Sequence, residues 1–231
     1  MSRILLIGHG RMGRLVEALA ADHHCSVVGI VASQEGAAAI GRFAGQVDVA
    51  IDFSAAAAVA ATVDALASHG MNAVIGTTGW QTDEARVRER AERSGIGVLA
   101  ASNFSIGLHV FRRAVAEAAR GFAAREDVGA WVHEAHHNQK KDAPSGTALT
   151  LRDSMIEAGY TRAIDMSSTR AGAIPGTHTV GFDGPSETVT LTHTVRDRAV
   201  FAHGALDVAR WLVGRRGWFT MDDFLKSEGS R

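Results

Sequence analysis

The feature that most constrains this chain lies at its start. An apolar run, Ile4-Leu5-Leu6-Ile7, is followed at once by Gly8-His9-Gly10-Arg11-Met12-Gly13 and then by helix-forming sequence. A G-x-G-x-x-G between a strand and a helix lets the backbone turn tightly and approach a pyrophosphate, while the helix N-terminus supplies N–H groups. The same texture then recurs. Short runs that are apolar on both faces predict strands at Arg3–Ile7, Ser26–Val31, Asp48–Phe53, Asn72–Ile75 and Gly97–Ala100. Helices are expected at Met12–Ala21, Ala55–His69 and Asp83–Ser94, the last with Thr82 as N-cap and Gly95 just past its end. This alternation predicts an α/β fold that begins with a Rossmann-like, doubly wound parallel sheet.

After Asn103 the pattern changes. A long helix is expected over Ser105–Ala124 and a strand over Val128–His133, followed by a polar loop, Glu134–Gly146, and a helix from Thr147 to Ala158. Two more strands are expected at His178–Phe182 and Glu187–Val195. In the second, Val189, Leu191 and His193 share one face, opposite Thr188, Thr190, Thr192 and Thr194. Such alternation suits an α+β domain with a mixed or antiparallel sheet, one face covered by helices and the other by another subunit. A helix over Phe201–Val213 and a short tail end the chain.

Charge and composition narrow the partners. A formal net charge of -1 leaves no electrostatic footprint for nucleic acid or anionic membrane. No apolar run approaches the roughly 20 residues that span a bilayer, and the N-terminus reads as that of a mature domain. The single cysteine, Cys25, cannot form an internal disulfide, so the expected compartment is the reducing cytoplasm.

The acid that grips an adenosine ribose is expected about 20 residues beyond the glycine loop. Ser33 stands there, with Glu35 the nearest acid and Arg42 the nearest downstream base, so NADH and NADPH both stay open as cofactors. Two further strand-end loops, Gly76-Thr77-Thr78-Gly79 and Ala101-Ser102-Asn103-Phe104, offer backbone and amide groups to a ribose or nicotinamide. Ordinary turn chemistry accounts for either loop equally well when taken alone.

The most unusual stretch is Glu134-Ala135-His136-His137-Asn138-Gln139-Lys140-Lys141-Asp142-Ala143-Pro144-Ser145-Gly146-Thr147. Ser145 suits an N-cap, Gly146 and Thr147 would present helix-start N–H groups to an anion, and Lys140 adds a mobile positive charge. This is a carboxylate site with histidines able to move a proton near neutral pH. On an extended segment Glu134 and His136 face one way and His137 the other. No third ligand lies at close spacing, so no metal is assigned. The G-x-x-x-x-G-K spacing of a phosphate loop is missing, and a merely solvated charged loop is the bland alternative.

That stretch resembles the signature of the dihydrodipicolinate reductase family. Gly8 to Gly13, Asp48 to Ser54, Val74 to Gly79, Ser102 to Ser105, Gly176 to Phe182 and Arg198 to Ala205 resemble family blocks in family order. The resemblance implies NADH- or NADPH-dependent reduction of 4-hydroxy-tetrahydrodipicolinate, a cyclic imine dicarboxylate, to tetrahydrodipicolinate in diaminopimelate and lysine biosynthesis. By position, His136 would be the proton donor and Lys140 its catalytic partner. His137, Ser145, Gly146 and Thr147 would hold substrate. Gly8, His9, Gly10, Arg11, Met12, Gly13, Ser33, Gly76, Thr77, Thr78, Ala101, Ser102, Asn103 and Phe104 would line the cofactor. It further implies a dinucleotide domain, 1–104 completed by 205–231, a substrate and oligomerisation domain, 105–204, and a homotetramer. The short Ser33–Gln46 segment, the compact glycine loop and Ser54 depart from the family pattern and bear on nucleotide choice. Two rivals remain: another small-acid dehydrogenase of similar build, and a non-catalytic dinucleotide sensor, which would have no need of His136 and Lys140.

Overall fold

The computed structural model describes residues 1–228. In chain order these form β1 (Ser2–Ile7), α1 (Arg11–Leu19), β2 (Cys25–Val31), β3 (Val49–Asp52), α2 (Val59–Ser68), β4 (Asn72–Ile75), α3 (Glu84–Ser94), β5 (Gly97–Ala100), α4 (Ile106–Phe122), β6 (Gly129–His136), α5 (Gly146–Glu157), β7 (Ile164–Arg170), β8 (Thr177–Asp183), β9 (Thr188–Thr194), α6 (Ala199–Leu212), β10 (Gly217–Phe219) and α7 (Met221–Glu228). They fall into two compact units, residues 1–105 with 199–228, and residues 106–198. All of α6 goes to the first unit, where the sequence reading began the return at 205.

The first unit holds a six-stranded, all-parallel sheet in the order β10-β5-β4-β3-β1-β2. Its strands are short and apolar on both faces because helices lie on both faces. Leu5, Ile7, Ala50, Ala73, Ile75 and Val98 pack with Val59, Val63 and Leu66 of α2 and Val87 and Ala91 of α3. On the other face α6 lies along β3, β4 and β5 and packs against α1. The strand order reverses between β1 and β3, so the crevice beyond their C-terminal ends is the topological switch point at which such sheets bind ligands.

The second unit is a four-stranded mixed sheet, β7-β6-β8-β9, in which only β6 and β7 are parallel. Its inner face buries Ala130, Val132, Val180 and Phe182 against Phe111, Val115 and Ala119 of α4 and Leu151 and Met155 of α5. Tyr160 closes the base of this core and donates its hydroxyl to Val128 O at 2.7 Å. The other face carries Thr177, Thr179, Thr190, Thr192 and Thr194, none of them buried, and the Trp131 indole lies across Gly181, where a Cβ would come within 2.2 Å of the ring.

Three local expectations need correction. Thr82 is not the N-cap of α3: Gln81–Asp83 form a 3-10 turn that leads into Glu84, and no described side chain caps the helix there. Gly95 does end α3, at φ +68°. The tail holds β10 and α7, the latter opened by a reciprocal cap in which Thr220 N donates to Asp223 Oδ2 and Asp223 N to Thr220 Oγ1. β7 was not expected, because Ser167-Ser168-Thr169 reads as loop. Its register with β6 turns Ile164 and Met166 onto the core.

Candidate active site

The candidate site of the first unit is made of backbone. Gly8 sits at φ +87°, with Phe53 O 2.5 Å from where a Cβ would stand, and a Cβ on Gly13 would lie 2.2 Å from Gly8 O. Both glycines therefore serve close packing of the loop on itself and on the end of β3. Gly10 differs: it is exposed, a Cβ there would meet nothing within 4 Å among the described residues, and no described side chain caps α1 at Gly10. Open space over an uncapped helix start suits a dinucleotide pyrophosphate. His9 bonds Glu17 at 2.7 Å, while Arg11 is exposed and Met12 half-buried.

The neighbouring strand ends are tied together. Buried Asp52 accepts from Ser54 N at 2.8 Å and from Thr77 Oγ1 at 2.9 Å, which fixes the turn Gly76-Thr77-Thr78 beside β3. Burial raises the Asp52 pKa against the opposing bonds from Ser54 and Thr77. Gly76 leaves room for the Phe53 ring, which a Cβ would meet at 2.1 Å. Thr78 is exposed beside it, and Ala101, Ser102, Asn103 and buried Phe104 follow β5 along the same edge. Ser33 lies exposed in the turn after β2.

The second unit holds a buried side-chain cluster of its own. Alternation along β6 turns Glu134 and His136 to the same face, 0% and 9% exposed. His136 Nδ1 bonds Glu134 Oε2. Arg170 grips the same carboxylate bidentately, Nη2 to Oε1 at 2.7 Å and Nη1 to Oε2 at 3.0 Å, and Ser145 N donates to Oε1 at 3.3 Å. Burial alone would raise the Glu134 pKa, but the bonds from Arg170, Ser168 and His136 outweigh it and bring it down to about 2. Glu134 is thus ionised and favours a proton on His136 Nδ1, so that Nε2 is the nitrogen that could give or take one. Burial lowers the His136 pKa, while Glu134 pulls it back up.

His178 faces this pair from β8, where the register sets it opposite Glu134. Its Nε2 lies 3.1 Å from Ser145 Oγ, its ring is edge-on to His136 with centroids 5.1 Å apart, and burial pushes its pKa down to about 4. Ser145 caps α5 by accepting from Ala148 N at 3.2 Å. The first-turn N–H groups of Gly146 and Thr147 consequently have no helical carbonyl behind them. Lys140 Nζ reaches both oxygens of Asp142 at 2.8 Å, and His137 is half-buried just past β6.

Glu134, His136 and His178 each bring a ligand atom within 4.8 Å of the others, so the fold supplies the third residue that linear spacing lacked. The Arg170 guanidinium, however, takes both Glu134 oxygens, where a metal ion would have to bind. The sequence reading gave no role to Arg170 or His178 and saw Glu134 only as a weighed metal ligand. The face shared by Glu134 and His136 was visible; Arg170 carried no local signal.

Residues 2–104 match the family described as Dihydrodipicolinate reductase, N-terminus, and residues 107–225 that described as Dihydrodipicolinate reductase, C-terminus. The chain is 34% identical to the 4-hydroxy-tetrahydrodipicolinate reductase of Christiangramia forsetii over 233 residues, which covers 96% of this chain and 97% of that one. It is 41% identical to the enzyme of the same name from Methanosarcina mazei over 196 residues, 78% of this chain and 73% of that one. A dipicolinate-bound dihydrodipicolinate reductase from Paenisporosarcina sp. TG-14 shares the fold, with a TM-score of 0.81 at 21% identity over 95% of this chain and 97% of that one.

Proposed function

This chain belongs to the dihydrodipicolinate reductase family, and from that premise we propose that it reduces 4-hydroxy-tetrahydrodipicolinate to tetrahydrodipicolinate with NADH or NADPH, a step of diaminopimelate and lysine biosynthesis. The observation that carries the reading at the level of chemistry is His136, locked by a buried carboxylate and set beside Lys140 and the start of α5. In balance, the substrate gains a hydride and a proton and loses water.

The cofactor supplies the hydride when bound. Gly8 to Gly13 would hold its pyrophosphate, with Gly76 to Thr78 and Ala101 to Phe104 beside its ribose and nicotinamide, and Ser33 near the adenosine end. Protonated His136 delivers a proton from Nε2 to the ring carbon next to the one that receives hydride. The neutral ring left behind keeps its Nδ1 proton on Glu134, so no tautomer change is needed. Lys140 and the Gly146 and Thr147 N–H groups would grip one carboxylate with help from Thr147 Oγ1 and His137. Asp142, a carboxylate already on Lys140, stands in for that group and would yield to it. Ser145 keeps the helix start in place.

The first compact unit is proposed to be the dinucleotide domain and the second the substrate domain. The finer assembly is a homotetramer joined through the threonine-rich face of the second sheet, and the compartment is the cytoplasm, in keeping with the free, buried thiol of Cys25. Light scattering on the purified protein should give four times the 24.4 kDa chain mass. The activity test supplies freshly generated substrate from the preceding synthase reaction with NADH or NADPH. Cofactor oxidation is expected, and its absence with both would end the reading.

A further inference from the structure

β8 presents Val180 and Phe182 to the apolar core of the second unit, and the same face carries His178, only 5% exposed. An imidazole in such a place is costly unless its nitrogens are bonded. Burial holds the His178 pKa at about 4, so the ring is uncharged around neutral pH. Its Nδ1 has no partner among the described residues. Within those residues its one hydrogen bond is the contact of Nε2 with Ser145 Oγ at 3.1 Å.

That bond acts on the cap of α5. Ser145 Oγ accepts from Ala148 N at 3.2 Å, so the hydroxyl proton is free to go to the neutral His178 ring. Ser145 N donates to Glu134 Oε1 at 3.3 Å. The cap of α5 is therefore tied to β6 through Glu134 and to β8 through His178. Glu134 also bonds His136, and the His178 ring stands edge-on to His136 with centroids 5.1 Å apart. One buried histidine thus borders the proposed proton donor and also holds the cap of the helix beside it.

We propose that His178 is a positioning residue of this site: it fixes the Ser145 hydroxyl, and with it the start of α5, relative to His136. A substrate carboxylate on the Gly146 and Thr147 N–H groups then brings its ring to His136 Nε2. One tie leaves a helix start free to pivot, whereas two ties fix its orientation. Strand register supplies the second, because β8 pairs antiparallel with β6 and sets His178 opposite Glu134. The identity of the substrate rests on the proposed reductase reading; the tie itself does not.

Gln and Asn at position 178 separate this tie from simple packing. A Gln amide reaches the place of Nε2, and an Asn amide only that of Nδ1. His178→Asn should raise KM for the substrate about 10-fold, the weight of one hydrogen bond, and lower kcat less than about 3-fold. His178→Gln should restore KM to within about 3-fold of wild type. Ser145→Ala should raise KM about as much as His178→Asn, and the double variant should rise no further, since both remove one bond. Calorimetric binding of dipicolinate, a planar ring dicarboxylate, should repeat this pattern without any turnover. Equal KM values for the Gln and Asn variants, or losses that multiply in the double variant, would overturn the proposal. If the Asn variant does not fold, nitrogen NMR of wild type and Ser145→Ala decides. The His178 Nε2 resonance should move and KM should rise, and failure of either would overturn the tie. Wild-type protein that reduces nothing, yet whose variants show this split in dicarboxylate binding, would end the reductase reading and leave the role of His178 standing.

Discussion

The glycine loop after β1 and the histidine cluster on β6 are built by opposite means. The loop works by leaving side chains out. Gly8 and Gly13 are pressed against backbone, and Gly10 opens onto space. The cluster works by burying side chains together: Glu134, Arg170, His136, Ser145 and His178 converge from three strands and a helix start. The difference concerns which change each site can bear. A backbone site is sensitive to added volume, whereas a buried ionic cluster is sensitive to the loss of a partner.

Arg170→Ala is the hardest test of that contrast. It leaves Glu134 in a dry site with only His136 and Ser145 N as partners and without its guanidinium, and should cost about 3–5 kcal/mol of stability in denaturant melts. A loss below about 1 kcal/mol would show that the carboxylate finds water or another partner.

Acid should act on the same cluster. His178 is held at about 4, below its ordinary value, so its contribution is fully present above about pH 6.5 and is lost as pH falls through 4. The loss is on the order of 3 kcal/mol. Glu134, held near 2, adds a second loss as pH falls from about 4.3 toward 2. In His178→Gln the decline between pH 6.5 and 4 should flatten, and an unchanged curve would place the acid sensitivity elsewhere.

Turnover comes next in size. His136→Ala should lower kcat by about 100-fold while cofactor binding persists, as expected for a positioned general acid. A proton donor must be charged, so kcat should fall as pH rises through the His136 pKa, which burial sets below the usual histidine value. Glu134 raises that pKa, so Glu134→Gln should move the falling limb to lower pH. A limb that stays in place would separate Glu134 from proton transfer.

The smallest effect sharpens the other side. Gly10→Ala should change stability by less than about 1 kcal/mol, since no described residue packs there, yet weaken cofactor binding about 10-fold. Gly13→Ala drives a Cβ into Gly8 O and should harm fold and binding together. Equal behaviour of the two variants would mean that the loop is only a tight turn.

The same contrast explains what could be read in advance. The first five strands and the glycine loop were visible because their signals are local: apolar runs, then glycine, then a helical period. The stretch from His136 to Thr147 was visible because its groups are contiguous. β7 was missed, since its core face shows only Ile164 and Met166 among polar neighbours. α7 was missed although Thr220 and Asp223 spell a capping box.

Sequence alone determined the parallel nucleotide-type sheet and its glycine loop, and it brought forward His136, Lys140 and Ser145 to Thr147 as candidates for a carboxylate and proton site. Only the tertiary structure decided what supports them. Arg170 reaches Glu134 because β7 pairs with β6 in parallel register, and His178 does so because β8 pairs antiparallel. The physical reason is common to both. Strand register is set by burial summed over a whole sheet, a quantity that no short window of sequence contains.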